Sequence, residues 1–234
     1  MIAYPNAWRE IGAIPDFKEI EDNLIQFLEL LNCNNLALSG GIDSSYMLWC
    51  MTKVFGHSVN CYTIALNKEH PDFVFSENIT KEFGVNWNFF IPEVKPKDLP
   101  EDNPGDSIVR TFFNWLSDNG KTEMICCDGI DEFMGGYYSH LHKPTHETYY
   151  DFMVRLKKEQ LEPLDKSSGK VAVFLPYLHS SLIGLYNRIP MSMRFGTNGR
   201  KKVITNLACG KIPDTIINRR KYGFVDAMVI KEDK

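Results

Sequence analysis

The sequence lacks the long apolar runs of a membrane protein, and it lacks a strong charge of either sign. No stretch is long enough and apolar enough to cross a bilayer, and the first residues show no basic segment followed by an apolar run. The 26 basic and 30 acidic residues give a formal net charge of −4, so no global positive field gathers nucleic acid or anionic lipid. We therefore expect a cytoplasmic protein without a membrane or nucleic-acid partner, which binds any anion at a local site.

Pairs of cysteines at the spacing of metal or redox sites are also missing. None of the six cysteines belongs to a CxxC motif, so we predict reduced thiols rather than a zinc site or a dithiol centre. Low-complexity segments and internal repeats are absent too. Apolar residues make up 44% of the chain and charged residues 24%, which are ordinary values for a globular enzyme. A length of 234 residues is within reach of one hydrophobic core, and we expect one domain over residues 1–234.

The sequence does contain short apolar runs that alternate with helical patterns. Apolar residues recur at helical spacing from Asp16 to Leu31, within an N-terminal helical segment of residues 1–32. Apolar runs that predict strands follow at 35–39, 59–66, 85–92 and 123–127. Helical patterns between such strands are typical of parallel βαβ units, so we predict an α/β fold with a doubly wound parallel sheet. From Ser139 onward the strand signals fade, and we predict a helical substrate region over residues 139–234.

A glycine-rich turn, SGGIDSS at 39–45, joins the first predicted strand to the next helical pattern. An open parallel sheet presents free backbone N–H groups to ligands at such a turn. Glycines at 40 and 41 permit close approach of an anion, three serine hydroxyls add donors, and the helix that follows points its positive end at the anion. We predict that this loop binds phosphate. The segment Gly120-Lys121-Thr122 resembles the end of a Walker motif, but it precedes a strand, and we interpret it as a helix C-cap turn.

A second polar motif, DGIDEFMGGY, follows the predicted strand at 123–127. Parallel strands end at one edge of a sheet, so this motif should lie near the glycine-rich turn. Carboxylates beside polyphosphate suit Mg²⁺ between them, and we predict Asp43 and Asp131 as its ligands. From these residues alone an equally good interpretation is a helix capped by Asp128, with Asp131 and Glu132 favoured by the helix dipole.

Three motifs together resemble the asparagine synthetase family of PP-loop ATP pyrophosphatases. SGGIDSS is similar to the pyrophosphate-binding signature of that group, CCDGIDEFMGGY resembles SGEGxDELFGGY, and RRKYGF at 219–224 resembles RxKxGF. The resemblance covers roughly residues 33 to 224. It implies an adenine-nucleotide α-hydrolase-like fold that uses ATP and Mg²⁺. It also implies a ligase that forms AMP and pyrophosphate, adenylates a carboxylate and transfers the acyl group to ammonia or an amine.

The same resemblance implies roles for particular residues. Lys202 and Lys221 would stabilise negative charge that develops during the reaction, Asp128 could take a proton from the amine, and Asp131 matches the family's magnesium aspartate. Arg219 is expected to orient a neighbour. The residues implied to contact the nucleotide are Leu38, Ser39, Gly40, Gly41, Asp43, Ser44, Ser45, Ile64 and Gly129.

The sequence departs from the family pattern at several positions that bear on the substrate. Cys126 and Cys127 replace the family's Ser-Gly, and Asp128 replaces its glutamate. FLPYLH replaces RxPFLD, so Phe174 stands for the arginine and His179 for the aspartate, which indicates an altered carboxylate pocket. We interpret His179 as structural. The glutaminase half of the family is not recognisable, so we expect ammonia to be used, with a separate glutaminase subunit as a candidate partner.

Two other functions remain open at this point. The chain could adenylate a nucleobase or nucleotide carbonyl, as related PP-loop enzymes do, although the low positive charge disfavours a large nucleic-acid substrate. It could also be a nucleotide-binding subunit of a glutaminase complex without catalysis of its own. The complete loop, acidic pair and lysines argue against that third hypothesis.

Overall fold

The computed structural model describes residues 13–94, 96–97, 99–103 and 105–221. Within them, five strands form one sheet: β1 Asn35–Ala37, β2 Asn60–Ile64, β3 Asn86–Phe90, β4 Glu123–Ile125 and β5 Ala172–Phe174. The α-helices of the first half are α1 Phe17–Leu31, α2 Ile42–Phe55, α3 Pro71–Phe83, α4 Asp106–Asp118, α5 Ile130–Met134 and α6 Tyr138–His142. Those of the second half are α7 His146–Leu156, α8 Glu162–Ser168, α9 Ser180–Asn187, α10 Met191–Arg194, α11 Lys202–Ala208 and α12 Asp214–Ile217.

The sheet is parallel throughout, with the strand order β3-β2-β1-β4-β5. The chain runs outward from β1 through β2 to β3, and then returns to the other side of β1 for β4 and β5. This reversal confirms the predicted doubly wound α/β fold. In such sheets ligands bind where the order reverses, in the crevice beyond the carboxyl ends of the strands. Here that crevice lies between the loops that follow β1 and β4, which are the two polar motifs of the sequence.

Helix α1 begins and ends where its sequence signals predict. The Asp16 carboxylate accepts a hydrogen bond from the backbone N–H of Lys18 at 3.1 Å, and Asn32 ends the helix in the left-handed region at φ +52°. The buried face of α1, formed by Ile20, Leu24 and Leu28, belongs to the main core. The helix therefore covers α2 and the sheet behind it.

Helix α2 carries the end of the glycine-rich turn into the centre of the molecule. Its buried residues lie on nearly every side of the helix: Ser44, Ser45, Tyr46, Met47, Leu48, Cys50 and Met51. A helix that is buried all round is fixed by packing on several elements, and α2 contacts α1, α3, α11 and β1. The loop at its beginning is therefore anchored on a rigid support.

The predicted helical substrate region over residues 139–234 also contains one strand, because β5 lies there and pairs with β4. The strand has only three residues, between the turn at Gly169 and Pro176, which is too short for a periodic signal. The interpretation of Gly120 as a turn residue is confirmed, since it has φ +72° just after α4. None of the helices in the described part of the chain is long and apolar enough to cross a membrane.

Candidate active site

The loop after β1 is held by hydrogen bonds among its own serines. The hydroxyl oxygens of Ser39 and Ser44 lie 3.2 Å apart, and the Ser44 hydroxyl also donates to the carbonyl of Gly41 at 3.3 Å. Gly40 has φ +63°, and a Cβ atom there would lie 2.7 Å from the Cβ of Phe75. Only glycine fits this position, so the loop can rest directly on α3.

Helix α2 starts at this loop with backbone N–H groups that have no side-chain cap. Its N-cap is Gly41, which has no side chain to accept from them. Ser45 is fully buried in the first turn, and its hydroxyl oxygen has no hydrogen-bond partner within the described part of the chain. An uncapped helix start carries partial positive charge and free donors, so it suits an anion.

The motif after β4 opens into the short helix α5. Its N-cap is Gly129 with φ +87°, so the alternative interpretation of Asp128 as the helix cap is wrong. A Cβ atom on Gly129 would lie 2.6 Å from Cδ1 of Leu178. This glycine is therefore required by the close approach of the segment after β5, which packs over the start of α5.

The glycine pair at the end of α5 leaves space for charged side chains. A Cβ atom on Gly136 would lie 1.6 Å from Oδ1 of Asp131 and 2.3 Å from Cε of Lys201. The adjacent Gly135 has φ +65° and lies against the ring of Phe195. Packing therefore explains the glycine at 136 in the second motif, because any side chain there would overlap the side chains of Asp131 and Lys201.

Asp43, Asp131, Lys201 and Lys221 form an ion cluster where the two motifs meet. Lys201 Nζ contacts Oδ2 of Asp43 and lies 2.5 Å from Oδ1 of Asp131. Lys221 Nζ donates a hydrogen bond to Oδ2 of Asp131 at 2.6 Å. The side chain of Lys201 is only 8% exposed. Two cations and two carboxylates cancel, which is what allows a protein to bury such groups.

Asp131 and Lys201 carry fixed charges at neutral pH. Burial alone would raise the pKa of Asp131, but Lys201 and Lys221 hold it well below its usual range. Burial disfavours the charge on Lys201, yet Asp131 and Asp43 raise its pKa above the usual value. Burial lowers the pKa of Lys221, against the attraction of Asp131. Asp131 is therefore ionised, and Lys201 is its permanent counter-ion.

Lys202, predicted from motif spacing, does not reach the ion cluster, whereas its neighbour Lys201 does. Lys202 is the first residue of α11, and its Nζ donates to the carbonyl of Ser192 at 3.1 Å. Lys201 precedes the helix with φ +49°, which turns its side chain inward. The signal available in the sequence was only that two lysines stand next to each other.

The C-terminal motif reaches the site through its first residues. Lys221 enters the ion cluster as described, and Arg219 donates from Nη1 to the carbonyl oxygens of Gly40 at 2.9 Å and Ser39 at 3.2 Å. The expectation that Arg219 orients a neighbour is thus in keeping with its contacts on the loop. The remaining residues of RRKYGF, at 222–224, lie outside the described residues.

Asp128 lies in the loop between β4 and α5. It is exposed to solvent, although protein atoms lie densely around it. This burial raises its pKa to about 6, and the negative charge of Asp131 adds to the effect. Burial also raises the pKa of Cys126 and Cys127 well above the usual range, so both are neutral thiols.

The other predicted nucleotide contacts lie at the same edge of the sheet. Leu38 directly follows β1 and Ile64 ends β2, so both residues lie beside the loop. The carbonyl of Leu38 accepts hydrogen bonds from Thr63 at 2.8 Å and Ser76 at 3.1 Å, and this fixes the start of the loop.

Two further residues complete the surroundings of the site. Sequence reasoning missed Tyr177, whose hydroxyl donates to the carbonyl of Asp43 at 2.9 Å. His179 stacks on Phe27 of α1 with ring centroids 4.0 Å apart, as its structural interpretation predicts.

The two aspartates fit a divalent cation in part. Oδ1 of Asp43 is buried and has no hydrogen-bond partner within the described part of the chain, so one carboxylate oxygen is available as a ligand. No group of three or more acidic, histidine or cysteine side chains arranged for a metal occurs among the described residues. Mg²⁺ ordinarily takes only one or two carboxylates and completes its shell with phosphate oxygens and water, so the donor set fits Mg²⁺ bound together with polyphosphate.

The chain is similar to proteins that are already known. The chain is 21% identical over 219 residues to a probable asparagine synthetase (glutamine-hydrolyzing) of Acanthamoeba polyphaga mimivirus. The match covers 83% of this chain and 40% of that relative. It thus spans less than half the length of that relative. An NH3-dependent NAD synthetase from Campylobacter jejuni subsp. jejuni NCTC 11168, in complex with nitrate ion, superposes with a TM-score of 0.39 at 15% identity, covering 85% of this chain and 98% of that chain. So loose a superposition says nothing about the site.

The family profile extends over most of the chain. The profile of asparagine synthase matches residues 35–166 and 140–233, which together include β1 to β5, both polar motifs and RRKYGF. The chain belongs to the asparagine synthase family.

Proposed function

We propose that this chain is an AMP-forming carbon–nitrogen ligase that adenylates a carboxylate and transfers the acyl group to ammonia or a small amine. The observation that carries the proposal is the ion cluster of Asp43, Asp131, Lys201 and Lys221 beside the uncapped start of α2. Donors for a departing pyrophosphate and cations for developing charge are thereby combined at one edge of the sheet. Membership of the asparagine synthase family supports this reaction class.

The reaction has two steps. In the first, a carboxylate oxygen attacks the α-phosphorus of ATP. The bond from that phosphorus to the oxygen bridging the α and β phosphates breaks, and pyrophosphate leaves with the electron pair. In the second, the amine nitrogen attacks the acyl carbon, the bond from that carbon to the phosphate oxygen breaks, and AMP leaves. The nitrogen loses a proton on the way to the amide.

The residues of the site divide these tasks. The loop from Ser39 to Ser45, with the first N–H groups of α2, would hold the pyrophosphate portion. Lys201 and Lys221 would stabilise the negative charge that develops at the α-phosphate and on the leaving group. Asp128, whose pKa is raised to about 6, would accept the proton from the amine at neutral pH.

Asp43 and Asp131 would hold Mg²⁺, which when bound neutralises polyphosphate charge. Lys201, which contacts both carboxylates, and Lys221 together already balance their charge without a metal. Lys201 and the cation would then share the same pair of aspartates. The charge of the site would become net positive, as the binding of ATP requires.

Exchange of labelled pyrophosphate into ATP tests the first step without knowledge of the amine. The protein, ATP and Mg²⁺ are incubated with a panel of small carboxylates, aspartate included, and the label in ATP is counted. We expect exchange that depends on the carboxylate, about a hundredfold slower in Asp43→Asn and unchanged in Arg155→Met, a surface variant of α7. Exchange that depends on a nucleoside instead of a carboxylate would favour the nucleobase alternative. ATP binding without exchange for any carboxylate would favour the non-catalytic subunit.

A further inference from the structure

Arg219 joins three separate parts of the molecule. Besides the two loop carbonyls described above, its Nη2 donates to Oδ1 of Asp72 at 2.5 Å. The side chains of Arg219 and Asp72 are only 8% and 7% exposed. Asp72 lies in the first turn of α3, so one guanidinium connects the C-terminal motif, the loop after β1 and the start of α3.

The contacts of Arg219 fix the direction of two peptide planes in the loop. In a trans peptide the carbonyl of one residue and the N–H of the next point in opposite directions, and the described residues contain no cis peptide. Because the carbonyls of Ser39 and Gly40 face the guanidinium, the N–H groups of Gly40 and Gly41 face away from it. Within the described part of the chain, the hydrogen bond given for the Gly41 N–H is a long one of 3.4 Å, to the Ser39 hydroxyl. The N–H groups of Gly40 and Gly41 therefore point away from the guanidinium of Arg219. This direction leaves them suited to bind an anion.

The base of this arrangement is rigid. His70 caps α3 by accepting from the backbone N–H of Asp72 at 3.1 Å, so the position of the Asp72 backbone is set by the helix start. The guanidinium lies 4.8 Å from the centre of the Phe75 ring, and Gly40 packs against the Cβ and backbone of the same residue. The start of α3 thus supports both the loop and the arginine that orients it.

We propose that Arg219 is a positioning residue, which with Asp72 sets the loop amides for the pyrophosphate portion of the nucleotide and ties them to the segment that carries Lys221. Lys221 follows two residues later and contacts Asp131, so the same segment aligns the loop on one side and a cation on the other. This inference rests on the proposed function, since it assumes that the loop holds polyphosphate.

Calorimetric titration with inorganic pyrophosphate and Mg²⁺ tests the proposal, with adenosine as a second probe that does not need the loop amides. The informative variant is the double substitution Asp72→Asn/Arg219→Met, which avoids leaving one buried charge without its partner. We expect it to lower pyrophosphate affinity at least tenfold and to leave adenosine affinity within a factor of two. Arg155→Met, which removes a surface arginine from α7, should change neither affinity.

The variant Arg219→Lys distinguishes an effect on the orientation of the loop amides from an effect on the stability of the fold. A lysine can still pair with Asp72, but it cannot bridge the two carbonyls as a planar guanidinium does. We therefore expect Arg219→Lys to recover most of the unfolding temperature that the double variant loses, while its pyrophosphate affinity stays at least tenfold low. A purely structural role would make the two quantities recover together, and that result would overturn the proposal.

The remaining outcomes are equally distinct. Wild-type affinity for pyrophosphate in the double variant would overturn this inference alone. A wild-type protein that binds adenosine but no pyrophosphate would overturn the proposed function and this inference with it.

Discussion

Lys201 and Lys202 are neighbours in sequence with different surroundings in the structure. Lys201 is buried between Asp43 and Asp131, whereas Lys202 is partly exposed and bonded to a backbone carbonyl. Side-chain direction at this point depends on where α11 begins and on the positive φ of Lys201. Neither quantity follows from the spacing of lysines, so the sequence alone does not show which of the two lysines enters the ion cluster.

The two lysines give a matched pair of substitutions. Lys201→Met should lower the free energy of unfolding by about 3 kcal/mol, because it removes the buried lysine that both partly buried carboxylates share. Lys202→Met should change it by less than about 0.5 kcal/mol, as a surface substitution does. Urea unfolding of both variants at pH 7 measures the difference. Equal effects would contradict the assignment of Lys201 to the ion cluster.

Gly136 offers a second test of how closely the ion cluster is packed. Gly136→Ala should destabilise the fold by about 2 kcal/mol or more, because its methyl group would overlap Oδ1 of Asp131 and force the cluster apart. Gly184→Ala is the control, since that glycine is exposed within α9 and has no atom within 4 Å of an added Cβ. It should stabilise the helix by about 0.5–1 kcal/mol. Thermal unfolding that ranks the two variants in the reverse order would contradict this geometry.

His140 makes stability depend on pH in a definite direction. It is fully buried, and burial lowers its pKa to about 4 from the ordinary value of 6.5. The unfolded chain therefore takes up a proton below pH 6.5 that the folded protein does not accept until about pH 4. Stability contributed by neutral His140 is complete above pH 6.5 and is lost as the pH falls through this window, by up to about 3 kcal/mol.

A variant that lacks only the histidine at position 140 isolates that contribution. Asparagine can accept the hydrogen bond that Nδ1 of His140 takes from the Tyr137 N–H at 3.3 Å, and it does not titrate. The difference in unfolding free energy between pH 7 and pH 4.5, measured with urea, should be smaller in His140→Asn than in the wild type. An identical pH dependence of the two proteins would count against a neutral buried histidine.

At the scale of elements, the sequence predicts most of what the structure contains. Helix α1 and the helices α3 and α4 follow from apolar periodicity, because each presents one apolar face and carries a start or stop signal. Strand β5 does not follow, since its three residues acquire their strand conformation only from pairing with β4. Likewise, the contact between Arg219 and Asp72 joins residues 147 positions apart and depends on the fold as a whole.

The attachment of α1 to α2 depends on a buried carboxylate. Glu21 accepts a hydrogen bond from the Tyr46 hydroxyl at 2.7 Å and contacts Lys211, so one acid links α1, α2 and the turn after α11. Tyr46→Phe should cost about 1.5–3 kcal/mol, because a hydrogen bond to a charged group is lost in the interior. Tyr150→Phe removes a hydroxyl from an exposed ring and should be neutral. Equal unfolding free energies for the two variants would contradict this role of Glu21.

At the scale of the whole molecule, the doubly wound sheet brings together residues from distant parts of the chain. The loop after β1, the motif after β4 and the C-terminal motif meet at the reversal of strand order. The meeting of the first two motifs follows from the rule that parallel strands open at one edge. The identity of the carboxylate does not follow, because FLPYLH changes the family's substrate motif at Phe174 and His179.

The central claim is that ATP is cleaved between its α and β phosphates. The most direct measurement is the identity of the nucleotide product formed from α-labelled ATP with Mg²⁺, ammonia and the carboxylate that supports pyrophosphate exchange. The account predicts AMP and pyrophosphate in equal amounts, with the rate about a hundredfold lower in Lys221→Met because that lysine would act on charge developed in the transition state. Formation of ADP and inorganic phosphate would contradict it.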